Sequence, residues 1–215
     1  MSYTIIMHIY NESEHLRHVL NAIYRQTIKP EKVLIVDDGS TDNTLDIVKE
    51  YGIPFIWLTQ PIDLPVYIRR SKAFNAAVRF ADTETPCVEF LLKVDGDTHI
   101  GDSYAERTIK LSNELGLSAC SGITAAHRKT RDLNNGAVLY RRCDLPDSKP
   151  IYAWDREIQL DLIRKGCKFK VHTNTFYSDM RPPTVRGSPG LKRVIINRIK
   201  TQVAKLQAHV RREKR

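Results

Sequence analysis

Long hydrophobic runs are missing from this chain. No apolar stretch approaches the roughly 18–20 residues that a membrane-spanning helix needs, and Met1–His8 is too short and too soon interrupted for a signal peptide. Cysteine is scarce. Cys87, Cys120, Cys143 and Cys167 are widely spaced and form no CxxC pair, which argues against a zinc site or a disulfide framework and for reduced thiols in a cytoplasmic protein. Residues 189–215 contain no Phe, Tyr or Trp, so the basic end lacks the aromatic partners of a single-strand nucleic-acid binder. Residues 7–15 contain no glycine, so the first loop is a poor cradle for a triphosphate.

What charge there is lies unevenly. The chain of 215 residues carries a net +9. Between Pro189 and Arg215 nine Lys and Arg face Glu213 alone, which leaves +1 for residues 1–188. The body is nearly neutral, and no nucleic-acid partner is expected for it.

Two acidic clusters each follow an apolar run rich in Val, Ile and Leu. Val33-Leu34-Ile35-Val36 leads into Asp37-Asp38-Gly39-Ser40-Thr41-Asp42, and Phe90-Leu91-Leu92-Lys93-Val94 into Asp95-Gly96-Asp97-Thr98. Such runs read as strands buried on both faces. In a parallel α/β sheet, ligands collect beyond the carboxyl ends of the strands. Carboxylates there suit a divalent metal, Mg²⁺ or Mn²⁺, which can in turn hold a diphosphate.

The first 100 residues alternate strand and helix patterns, as expected for a mostly parallel central sheet flanked by helices, a Rossmann-like α/β fold. Strands are predicted at 3–9, 32–36, 53–58 and 87–94. Asn11–Glu14 offers a helix start before Leu16, Val19, Leu20 and Ile23; Ser40 or Thr41 can cap the second helix; Pro65 suits the first turn of a third, running to about Ala81. Further on, helices are expected near 102–115 and 154–165, and strands near 117–124, 136–140 and 167–172, with a polar loop at 127–135. A domain of residues 1–180 is followed by a turn-rich linker, 181–190, and a basic amphipathic helix, 191–215, with one apolar stripe from Leu191 to Val210.

Taken in order, Ile9-Tyr10-Asn11-Glu12, Val36–Thr44, Gln26 between them, Lys72-Ala73-Phe74-Asn75, Val94-Asp95-Gly96-Asp97-Thr98 and Trp154-Asp155-Arg156-Glu157 resemble the motifs of family 2 glycosyltransferases of GT-A fold, over about residues 3–172. The resemblance implies transfer of a sugar from a nucleotide-diphosphate sugar to an acceptor hydroxyl or phosphate, with inversion and with a divalent metal. The acceptor would be a glycan, a lipid-linked phosphate or a protein. It implies that Tyr10, Glu12 and Asp38 hold base and ribose, that Asp95 and Asp97 hold nucleotide and metal, and that His172 adds a metal ligand. Lys72 with Arg70 could meet phosphate, and Asn75 the nucleotide. Asp155 would be the general base for the acceptor hydroxyl. Trp154 departs from the pattern, standing where the family carries Glu, and Glu157 is close enough to contest the role. The QxxRW element of processive polysaccharide synthases is absent.

Residues 191–212 suit the anionic cytoplasmic face of a membrane, the reading that the one-sided charge favours; the alternative packs the stripe on the catalytic domain or in a homodimer. Two other functions share such a scaffold. One is a nucleotidyltransferase, disfavoured by the glycine-free first loop; the other is a non-catalytic nucleotide-sugar-binding protein, for which Trp154 speaks.

Overall fold

The structure is a computed structural model, and it describes residues 1–60, 64–123, 136–145 and 154–179. The linker, the C-terminal stripe and the loop expected at 127–135 lie outside these residues, as do residues 61–63 before Pro65.

Among the described residues eight strands form the sheet: β1 (Tyr3–Ile9), β2 (Val33–Asp37), β3 (Phe55–Trp57), β4 (Phe90–Val94), β5 (Thr98–Ile100), β6 (Ala119–Ile123), β7 (Ala137–Arg141) and β8 (Phe169–Asp179). Their order is β3-β2-β1-β4-β7-β6-β8-β5. The helices are α1 (Leu16–Tyr24), α2 (Thr44–Glu50), α3 (Val66–Glu84), α4 (Tyr104–Leu115) and α5 (Trp154–Arg164). Among the described residues no helix is long and apolar enough to cross a membrane.

The first four strands are parallel. Ile5 pairs with Val33 on one side and with Leu92 on the other, so β1 is covered by strands at both edges. Helices cover the faces, so these strands must be apolar on both sides. Every residue of β2 and of β4 is buried, Lys93 included. The chain winds outward from β1 to β2 and β3, then returns to place β4 against the free side of β1. That reversal opens a crevice beyond the carboxyl ends of β1 and β4.

Past β4 the sheet changes character. β7 runs antiparallel to β4 and to β6, while β8 runs parallel to β6 with a register shift between Ser121 and Ile123. Gln26 staples the two halves. Its amide nitrogen donates to the Ala22 and Gly101 carbonyls at 3.1 and 2.8 Å, and its oxygen accepts from the Ala105 N–H at 3.0 Å.

Several expected boundaries are corrected. α1 begins at Leu16 and α2 at Thr44, and neither Ser40 nor Thr41 caps α2, because Ser40 is consumed by the preceding turn. Pro65 stands just before α3, which continues to Glu84. β3 and β4 are shorter than expected, and β5 was not foreseen. His172 lies inside β8 rather than at its end, since pairing with β6 and β5 carries that strand to Asp179.

Candidate functional site

Two loops at the carboxyl edge are laced together by side chains on main chain. After β2, Asp37 accepts from the Gly39 and Ser40 N–H groups at 3.1 and 2.9 Å, and from the Ser40 hydroxyl. Gly39 has φ +80°, a conformation that favours glycine. After β1, Asn11 takes up φ 51°, as asparagine tolerates better than most residues. Its N–H donates to Ser40 Oγ at 2.9 Å while its Oδ1 accepts from the Thr41 N–H at 2.8 Å. The Glu12 N–H donates to Thr44 Oγ1 at 2.8 Å. Thr44 in turn donates to Asp42, which also accepts from the Ser13 N–H at 3.1 Å. Burial pushes the Asp42 carboxyl up, but hydrogen bonds from Ser13 and Thr44 outweigh it and hold the pKa at about 2.

This lacing presents Tyr10 and Asp38 side by side. Tyr10 is 38% exposed. The Arg69 guanidinium lies 4.8 Å from the Tyr10 ring centroid, and its Nη2 stands 3.0 Å from Asp38 Oδ2 and 2.9 Å from the Asp38 carbonyl oxygen. Gln60 donates to Asp38 Oδ1 at 2.5 Å and to the Arg69 carbonyl at 3.1 Å. Burial raises the Asp38 pKa, against the lowering influence of Arg69 and Gln60. Arg69 and Gln60 were not among the expected residues. Lys72 is exposed on α3, and it is Arg69, three residues earlier, that reaches the cluster. A signal was present: Arg69 continues the spacing of Ala73, Ala77 and Ala81, the small buried stripe of a helix that packs on β1 and β2. Asn75 lies on the same helix, half-buried.

Beyond β4, the Asp95 N–H donates to the Gly136 carbonyl at 2.8 Å, and its carbonyl accepts from the Thr98 N–H at 3.0 Å, closing a turn through Gly96 and Asp97. Gly96 is pressed against Glu12, where an added Cβ would stand 2.6 Å from Glu12 Cγ and 3.1 Å from Ile9 Cγ2. The loop after β1 thus meets the turn after β4, with Glu12 and Asp97 each 8% exposed. The Lys93 ammonium forms an ion pair with Asp95 Oδ1. His8, half-buried on β1, has its pKa held well below the usual histidine value by burial first, then by Lys93 and Arg70.

The donor chemistry fits a hard divalent cation. Asp95 and Asp97 offer carboxylate oxygens at one turn, and magnesium-type sites commonly use one or two carboxylates with substrate phosphates. Among the described residues no group of three or more His, Cys, Asp or Glu is placed to hold a metal. Asp155 and His172 are described through their backbone, Asp155 in the first turn of α5 and His172 within β8.

Comparison with known proteins follows the same outline. The family model described as glycosyl transferase family 2 matches residues 4–179. Glycosyltransferase AglE of Haloferax volcanii is 27% identical over 121 residues, which is 55% of this chain and 38% of that protein. Among solved structures, the mannosyltransferase PcManGT from Pyrobaculum calidifontis, in complex with GDP-Man and Mn²⁺, has a TM-score of 0.66 at 19% identity, covering 86% of this chain and 58% of that one. S. aureus TarS 1–349 in complex with UDP-GlcNAc has a TM-score of 0.63 at 20% identity, covering 82% and 57%. The fold is therefore the GT-A fold, and the chain spans less than two thirds of each of these proteins.

Proposed function

The chain belongs to glycosyl transferase family 2, and from that premise we propose that it transfers a sugar from a nucleotide-diphosphate sugar to an acceptor, with a divalent cation and with inversion at the anomeric carbon. The observation that carries this reading is that the loop after β1 joins both parts: its Tyr10 lies with Asp38 and Arg69, and its Glu12 packs on Gly96 of the Asp95-Gly96-Asp97 turn.

Each residue has a part. The open face of Tyr10 stacks on the base. Asp38 accepts from a ring N–H while Arg69 donates to the neighbouring ring carbonyl. Uracil, thymine and guanine carry that pair of groups side by side, so a uridine, thymidine or guanosine diphosphate sugar fits. Glu12 and Asp95 accept from ribose hydroxyls. Asp97 and Asp95 hold Mg²⁺ or Mn²⁺, which when bound supplies the positive charge that a departing diphosphate needs. Asp155 takes the acceptor's proton as its oxygen attacks the anomeric carbon and the bond to the diphosphate breaks. The family match weighs against the nucleotidyltransferase alternative.

A thermal-shift panel of nucleoside diphosphates and their sugars, with and without Mn²⁺, tests the reading. Binding to the native state raises apparent stability by mass action, by about 2.7 kcal/mol at a hundred times Kd. One family of bases should raise the melting temperature, more so with Mn²⁺, and Asp97→Ala should lose the metal-dependent part. Asp155→Asn should keep the shift and lose transfer. A panel with no shift for any nucleotide, with or without metal, overturns the proposal; full turnover by Asp155→Asn removes the base, and loss of transfer there also sets aside the non-catalytic alternative.

A further inference from the structure

We infer that Lys93 is a positioning residue that competes with the divalent cation for Asp95, so that the nucleotide-free protein takes up metal poorly and metal uptake is coupled to the donor diphosphate. The inference rests on the donor-site reading above.

Lys93 is the one charged residue in β4, and it is 1% exposed. Its strand neighbours across the sheet are Ile6 on β1 and Val138 on β7, both apolar and buried. An apolar side chain would satisfy that position, as it does at Leu91 and Leu92. Burying an ammonium costs heavily unless it is paired. Asp95 opens the turn directly after Val94, the last residue of β4, and the Lys93 ammonium reaches it there as an ion pair. The pairing fixes Asp95 and also places a positive charge in contact with a carboxylate meant for a cation.

That contact opposes a metal ion in two ways. It lies against Oδ1 of Asp95, and its charge repels a second cation in a site partly withdrawn from water, where screening is weak. With two carboxylates as the donors at this turn among the described residues, and Asp95 held by Lys93, the bare site is a weak binder. A diphosphate reverses the balance, because its negative charge offsets Lys93 and its oxygens add ligands for the ion.

The test titrates Mn²⁺ by the loss of the free-ion EPR signal beyond that of a protein-free blank at the same nucleotide concentration, a readout independent of turnover. In the wild-type chain, saturating UDP or GDP, whichever the protein binds, should tighten Mn²⁺ at least about tenfold. Lys93→Met, uncharged and of similar length, should tighten Mn²⁺ about tenfold without nucleotide and narrow the gap between the two conditions, whereas Lys93→Arg should keep the wild-type behaviour. Equal Mn²⁺ affinity of Lys93→Met and wild type without nucleotide overturns the inference and leaves the donor site standing. Absence of Mn²⁺ binding in the wild type, even with nucleotide, overturns both. Should Lys93→Met fail to fold, ¹⁵N-lysine NMR of the wild type decides: the Lys93 ammonium signal should respond to Mg²⁺ with nucleotide far more than to Mg²⁺ alone, and an equal response sinks the idea.

Discussion

Gly96 and Glu12 are in such close contact that residue 96 has no room for a side chain: a methyl group there would sit 2.6 Å from Glu12 Cγ. The contact joins the loop after β1 to the turn after β4. It makes the glycine of Asp95-Gly96-Asp97 a packing requirement, in addition to any role it has in the turn.

Gly96→Ala is therefore expected to displace Glu12 and to cost about 1–3 kcal/mol, the usual range for overpacking. Glu12→Ala removes the obstructing Cγ, so the two substitutions should be coupled, the pair costing less than their sum by about 0.5–3 kcal/mol. Urea unfolding of the four proteins measures this directly. Strict additivity would mean that the two side chains do not compete for the space.

Arg69 stands between Tyr10 and Asp38, and its removal should be felt through Asp38. Burial already raises that carboxyl, and Arg69 is the first influence that opposes it. In Arg69→Ala the pKa should climb further, so the folded state would hold its proton more tightly than the unfolded chain does. A native state that binds more protons than the unfolded one loses stability as pH rises. The deficit of the variant should thus be smallest in acid and grow as pH climbs above the ordinary aspartate value, reaching about 1–3 kcal/mol for a buried group left with fewer partners. Urea midpoints of both proteins at pH 4.5 and 7.5 check the sign. Nucleotide binding by the variant should be weaker than that of the wild type at both pH values, and weakest at pH 4.5, where more of Asp38 is protonated.

These two relationships mark where sequence reading succeeded and where it stopped. β1, β2 and β4 were legible because strands buried on both faces must be continuous apolar runs, and the acidic residues that follow them could be placed at the sheet edge by topology alone. That placed Asp38, Asp95 and Asp97, whereas Tyr10 and Glu12 were named through the family resemblance. β5 was not legible: Thr98-His99-Ile100 has no pattern of its own and exists through pairing with Ser178 and its neighbours on β8. Pairing also carried β8 beyond its expected end at His172 through Thr173, Asn174 and Thr175, residues too polar to announce a strand. Arg69 was hidden among Arg70 and Lys72, since three cations on one helix differ only in the direction they face. Lys93 was overlooked for the opposite reason. Its apolar neighbours made the strand obvious and the lysine incidental.

Asp42 offers the cleanest electrostatic test, because its partners are main-chain and hydroxyl donors rather than another titrating group. It accepts from the Ser13 and Thr44 N–H groups and from the Thr44 hydroxyl, which itself accepts from the Glu12 N–H, so one carboxylate ties the start of α2 to the loop that carries Glu12. Asp42→Ala should lose about 1 kcal/mol near neutral pH, the cost of a typical helix-end side chain; the exposure of Asp42 argues against a larger figure. Its folded pKa, about 2, lies below the ordinary value of 3.8, so the folded state binds fewer protons than the unfolded chain. The contribution is therefore present in full above the unfolded value and fades as pH falls from there toward about 2. The gap between wild type and variant in urea midpoint should hold steady from pH 7 to 5 and close between pH 4 and 2. A gap that stayed constant to pH 2 would assign the effect to loop geometry rather than to the charge on Asp42.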